Sequence, residues 1–189
     1  MKKLLTTILL IIIIISLTSC TQGKNENNHD NSQLNPDNDI EYKNDLDNDK
    51  QDNIKYENRL AEIIAKNRLP EENEVLDIVT KKDDHMAEII FEVLAIDEED
   101  LEEYAISLSS MNIKAYCVGI IKPTNEKKVE VKKSLQLYKE NQMKNFEKYL
   151  TVQYNIAKNA IITEIGDYVV IVMSEDYKIL NKNIEKSLK

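Results

Sequence analysis

Apolar positions along this chain fall into three regimes. Residues Leu4 to Leu17 are almost continuously apolar, with only Thr6, Thr7 and Ser16 as breaks. Residues Thr21 to Ile54 show no period at all. From Ile54 onward the pattern becomes periodic and predicts a succession of elements. Tyr56, Leu60, Ile63, Ile64 and Asn67 have helical spacing that stops at Pro70. After a connection holding Val75, Leu76, Ile78 and Val79, the set Met86, Ile89, Ile90, Val93 and Leu94 repeats the helical period, with Asp83 or Asp84 as the N-cap. Tyr104, Ile106 and Leu108 alternate as a strand should. Beyond the polar corner Ser109-Ser110, a second apolar run from Tyr116 through Ile121 reads as its neighbour.

Residues 125 to 150 carry Val131, Leu135, Tyr138, Gln142, Phe146 and Tyr149 on one stripe, which predicts the longest helix. Ala160 to Ile165 and Tyr168 to Met173 are β-rich runs joined by Gly166-Asp167, a two-residue hairpin signal. Ser174 is placed to cap a last helix bearing Ile179, Leu180, Ile184 and Leu188. The fold class this predicts is α+β: an antiparallel sheet of about four strands in two hairpin-like pairs. A long helix lies between the pairs, a helix follows and two helices precede, and the helices are expected on one face. Domain organisation follows as a leader over 1–19, a tether over 20–54 and a single domain over 55–189.

The leader has the layout of a secretory signal: Lys2 and Lys3, then fourteen residues of apolar run, then the small residue Ser19. The run is short of the ~18–20 residues that a spanning helix needs. Leu17-Thr18-Ser19-Cys20 resembles the lipobox of bacterial lipoproteins. That resemblance implies cleavage before Cys20, a diacylglyceryl group on its thiol, and a place on the extracytoplasmic face of the cell membrane. Two long acyl chains, at ~0.8 kcal/mol per buried methylene, make such an anchor effectively permanent.

Residues 21 to 54 contain nine Asn and seven Asp and carry a net charge of −6. Such a stretch cannot bury enough apolar surface to offset its ordering entropy, so a disordered tether is expected. Asp45, Asp47 and Asp49 alternate like the start of a calcium loop. Lys50 stands where that loop needs glycine and Tyr56 where it needs glutamate, so the reading is low-complexity linker.

The chain has a formal charge of −9, or −11 once Lys2 and Lys3 leave with the leader, and only two arginines, Arg59 and Arg68. Nucleic acid is therefore not an expected partner. With Cys20 committed to lipid, Cys117 is alone and no internal disulfide forms. Cys117 and His85 have the residue types of a nucleophile pair, but Cys117 lies mid-strand, where a small buried hydrophobe is the commoner role. No metal or cofactor site is expected from two histidines and one thiol. Asp83 to Glu103 holds ten acidic residues, and the long helix holds a run of lysines. With an envelope protein or polymer as the expected partner, the acidic run is a candidate surface for a hard cation or a basic partner and the lysines for anionic envelope polymer or lipid, and either also reads as a solvated helix face.

Three stretches, EEYAISLSSMNIKAYCVGIIK from Glu102, FEKYLTVQYNIAKNA from Phe146 and GDYVVIVMSED from Gly166, resemble the family of domain of unknown function 4358. That family occurs in lipoproteins of low-GC Gram-positive bacteria. The resemblance covers about residues 75 to 180, and where the family often has a basic residue in the long helix this chain has Tyr138. It implies a topology and a location, with no activity and no site residues. The function expected is a non-catalytic binding or scaffolding module of the cell envelope. The alternative is a small envelope enzyme using carboxylates, such as Glu103 and Glu164, brought together by the fold.

Overall fold

A computed structural model describes Tyr56 and residues 58 to 189. The expected leader, Cys20 and the tether lie outside the described residues. The elements are α1 (Arg59–Asn67), α2 (Pro70–Val75), α3 (Ala87–Leu94), β1 (Leu101–Leu108), β2 (Cys117–Pro123), α4 (Lys128–Phe146), α5 (Thr151–Asn159), β3 (Ile161–Ile165), β4 (Tyr168–Met173) and α6 (Tyr177–Leu188). The four strands form one antiparallel sheet in the order β1-β2-β4-β3, each hairpin pair intact and the two joined through β2 and β4. The α+β class, the paired strands, the intervening long helix and the C-terminal helix are all present.

Local chemistry sets most helix ends. Asn58 caps α1, its Oδ1 accepting from the N–H groups of Leu60 at 2.8 Å and Ala61 at 3.1 Å. Pro70 does more than end α1: its fixed φ and missing donor suit a first helical position, and it opens α2. Asp84 accepts from the N–H of Met86 at 3.1 Å just ahead of α3. That helix ends on Ala95 in the left-handed region, φ 52°, where glycine would be unstrained. Ser174 does not cap the last helix. It is buried with no protein partner for its hydroxyl, and α6 starts three residues later. The long helix stops at Phe146, so Tyr149 falls on an elbow and is 83% exposed, and the chain starts a further helix, α5, that periodicity did not reveal.

The sheet is covered on both faces, which corrects the one-face expectation. On the first face Tyr104, Ile106, Cys117, Ile121, Val169 and Ile171 pack against Ala87, Ile90 and Leu94 of α3, Val131, Leu135, Tyr138 and Phe146 of α4, and Ile156 and Ala157 of α5. On the second face Ala105, Val118, Ile120, Val170 and Val172 pack against Leu60, Ala61 and Ile64 of α1 and Leu180 and Ile184 of α6. The cause is visible in the strands. CVGII and VVIVM are apolar at successive positions, as strands buried on both sides must be, and only a half-exposed strand alternates. α3 buries Ala87, Ile90 and Leu94, whereas Ile89 and Val93 from its predicted stripe are 45% and 43% exposed.

Both sheet edges are guarded. At β1, Val79 exchanges two backbone hydrogen bonds with Ile106, at 2.8 and 2.9 Å, so the connection after α2 straps that edge. At β3, lysines of α4 take the flanking carbonyls: Lys128 Nζ donates to Gly166 O at 2.6 Å and Lys139 Nζ to Ala160 O at 2.7 Å. Lysine at an edge discourages an added strand.

Candidate functional site

Cys117 and His85 are not brought together. Cys117 is fully buried on the first face, in the same core cluster as Tyr138, and burial pushes its thiol up to about 12. His85 lies on the surface ahead of α3, its side chain 74% exposed, with Nδ1 3.2 Å from Asp84 and Nε2 3.5 Å from Asp77. A thiol held neutral in a dry core is a packing group, not a nucleophile.

Glu103 and Glu164 are also apart. They sit on the two edge strands, β1 and β3, with β2 and β4 between them, a separation of roughly 14 Å at ordinary strand spacing. They also point to opposite faces. Glu164 lies opposite Val169 on the first face, where Lys132 at 2.6 Å and Lys128 at 3.5 Å hold it. Lys132 lowers its pKa below the usual carboxylate range. Glu103 reaches the Tyr168 hydroxyl at 3.5 Å on the second.

Both charged surfaces have members held in ion pairs, and Asp100 with Lys127 joins one to the other. In the acidic segment, Glu98 accepts from the Tyr104 hydroxyl at 2.6 Å and lies 3.6 Å from Lys82. Asp100 pairs with Lys127 at 3.3 Å, and Glu102 with Lys122 at 2.7 Å. On the long helix, Lys127, Lys128 and Lys132 are engaged with carboxylates, and Lys139 is partly desolvated at the β3 edge, which lowers its pKa. What remains of the lysine run is Lys133, Lys144 and, in the elbow, Lys148. Among the described residues no three His, Cys, Asp or Glu side chains converge to hold a metal ion.

A polar cluster that sequence reasoning missed lies where α1 meets the sheet. Arg68 is only 5% exposed, yet its guanidinium is well supplied: Nε donates to Asn73 Oδ1 at 2.6 Å, Nη1 to buried Ser107 Oγ at 2.7 Å and Nη2 to Leu76 O at 2.6 Å. Beside it Glu72 accepts from the Tyr116 hydroxyl at 3.3 Å, and Lys114 stands 5.5 Å over the Tyr116 ring. Burial raises the Glu72 pKa and outweighs the attraction of Arg68. The cluster ties α1, α2 and the strap to β1 and β2. Its donors and acceptors are directed at one another, so it staples the fold.

Two concavities stand out. An open hollow of about 610 Å³ lies between the β3–β4 turn and the end of α6, with Glu164, Asp167, Tyr168, Glu185 and Lys189 in its lining. Its carboxylates are poor candidates for acid–base work, because Glu164 is held by Lys132 and Glu185 by Lys189, both at 2.6 Å, on half-exposed side chains. A groove of about 190 Å³ runs between Val75, Met86, Ile90, Leu108 and Met111. Its lining is mostly apolar, with Asp77, Ser109 and Ser110 at its polar part, and it is smaller than the ~300–1,000 Å³ of ordinary small-molecule sites.

Exposed apolar side chains are scattered over the domain, Val75, Val129 and Ile179 among them, and several gather at one end. The β1–β2 turn carries Met111 and Ile113, 52% and 63% exposed, and the α4–α5 elbow carries Tyr149 and Val152, 83% and 64% exposed. The two are joined by the N–H of Ala115 donating to Gln153 Oε1 at 2.7 Å. No helix among the described residues is long and apolar enough to cross a membrane.

Comparison with curated proteins and with solved structures finds no match. Comparison with protein families does: the family described as "Domain of unknown function (DUF4358)" matches residues 74–174, and it names no catalytic activity. The match takes in all four strands and α3, α4 and α5, the sheet and its first layer. Since it spans more than half of the 189 residues, the protein belongs to the DUF4358 family.

Proposed function

We propose that this protein is a lipoprotein, anchored by a diacylglyceryl group on Cys20 at the outer face of the cell membrane, whose domain is a non-catalytic binding or scaffolding module of the envelope. The observation that carries the anchor is Leu17-Thr18-Ser19-Cys20 placed directly after Lys2, Lys3 and a fourteen-residue apolar run. The module reading is supported by how the chemically capable groups are employed. Cys117 fills the core, His85 sits among surface acids, and Glu164 is locked in ion pairs. Cys117 and Glu164 thus have structural tasks that oppose catalysis, and His85 has only surface carboxylates beside it.

Replacing Cys20 by Ser tests the anchor. The wild-type chain is expected to begin at Cys20 and carry two acyl chains by mass spectrometry, and the variant to lose the lipid and leave the membrane fraction. A mature wild-type chain that starts elsewhere, or has no acyl group, contradicts the proposal.

A further inference from the structure

We propose that the end of the domain bearing Tyr149, Val152, Met111 and Ile113 rests on an anionic lipid surface, the leaflet that holds the anchor; this rests on the reading of Cys20 as lipidated. The β1–β2 turn and the elbow region, residues 109–115 and 141–160, contain Lys114, Lys144, Lys148 and Lys158 against the single acid Glu147. They are thus net +3 in a chain of −9. Asp77 lines the groove beside Met111, Lys114 lies near Glu72, and Glu175 and Asp176 are exposed at the entry to α6, so the positive charge of this end is concentrated at the elbow, on Lys144, Lys148 and Lys158. A tyrosine and aliphatic side chains set among lysines have the composition of an interfacial contact, the ring at headgroup depth and the ammonium groups toward lipid phosphates. The lysines set among these side chains favour a lipid surface over a folded partner, whose contact surfaces are depleted in lysine.

The chain outside the described residues permits this placement. α1 starts at the other end of the domain, where Arg59 donates to Ser187 O at 3.0 Å near the end of α6. The elbow is about one α4 length away, ~28 Å. Residues 21 to 55 reach at most roughly 120 Å. An anchor within that reach keeps the leaflet at high effective concentration, so a weak contact suffices.

The chain contains no tryptophan, so one introduced ring reports alone. Full-length acylated protein would be placed in phosphatidylcholine–phosphatidylglycerol vesicles with brominated acyl chains, carrying either Tyr149→Trp or Val129→Trp, the latter position 79% exposed at the opposite end of α4. Severalfold stronger quenching of the Tyr149→Trp chain is expected. Lys144→Glu with Lys148→Glu is expected to abolish the difference. Equal quenching, or none, in an acylated and vesicle-bound chain overturns this proposal alone and leaves the surface to a protein partner. A chain without an acyl group overturns the anchor and this proposal together.

Discussion

The two faces of the sheet are built from different parts of the chain. The first is covered by α3, α4 and α5, all within the family-matched residues, and the second by α1 and α6, which lie outside them. The first face has a continuous cover, with α5 folded back against α4. The second has two helices from the extremities of the domain, held to each other near Arg59 and Ser187 and to the sheet by the Arg68 cluster. The family segment alone would leave Val118, Ile120, Val170 and Val172 in water. The flanking helices therefore complete the core.

If both layers belong to one cooperative unit, equivalent cavities on the two faces should behave alike. Leu135→Ala on the first face and Ile184→Ala on the second each remove a fully buried side chain. Each should cost ~2–5 kcal/mol, read as a shift of one thermal or urea transition. A separate early transition for Ile184→Ala, seen by circular dichroism or hydrogen exchange confined to α1 and α6, would break the equivalence and make the second layer a detachable one.

The next largest effect is expected at the cluster that joins the layers. Arg68→Ala leaves Ser107 Oγ, Leu76 O and Asn73 Oδ1 without their charged donor, and should cost ~2–4 kcal/mol. Arg68→Lys should recover little, because an ammonium group cannot serve three acceptors in that planar arrangement. Full recovery by lysine would show that charge alone matters there.

Glu72 gives the smallest effect and one with a defined sign. Its folded pKa is raised by burial, so the ionised form opposes folding. That penalty is absent while the carboxyl is protonated in both states, below the unfolded value near 4.5, and develops as pH rises through the folded pKa. Glu72→Gln should therefore match or exceed wild type in stability at neutral pH, with the difference shrinking as pH falls through the raised folded pKa and gone below the unfolded value near 4.5. A loss of stability confined to neutral pH would mean that its attraction to Arg68 outweighs burial.

Much of the first layer was legible in sequence because it is written locally. The stripe Val131, Leu135, Tyr138 and Phe146 and the hairpin signal Gly166-Asp167 need no knowledge of the rest of the chain. The second layer was misplaced because the stripes of α1 and α6 say only that one side is buried, not against what. The unbroken apolar runs of β2 and β4 held that information. α5 escaped because Ile156 and Ala157 are its only buried residues. The Arg68 cluster was invisible because its partner Ser107 lies 39 residues away, and the pairing of Asp100 with Lys127 or Glu164 with Lys132 is likewise a product of the fold.

The claim that the reactive groups of this domain are structural is tested most directly at Cys117, by labelling the native protein with a thiol reagent at neutral pH, with and without His85→Ala. With its thiol pushed up to about 12 and no exposure, Cys117 should react only as fast as the core opens, and His85→Ala should leave the rate unchanged. Fast modification of the folded protein, slowed selectively by His85→Ala, would contradict the account and point to an enzyme.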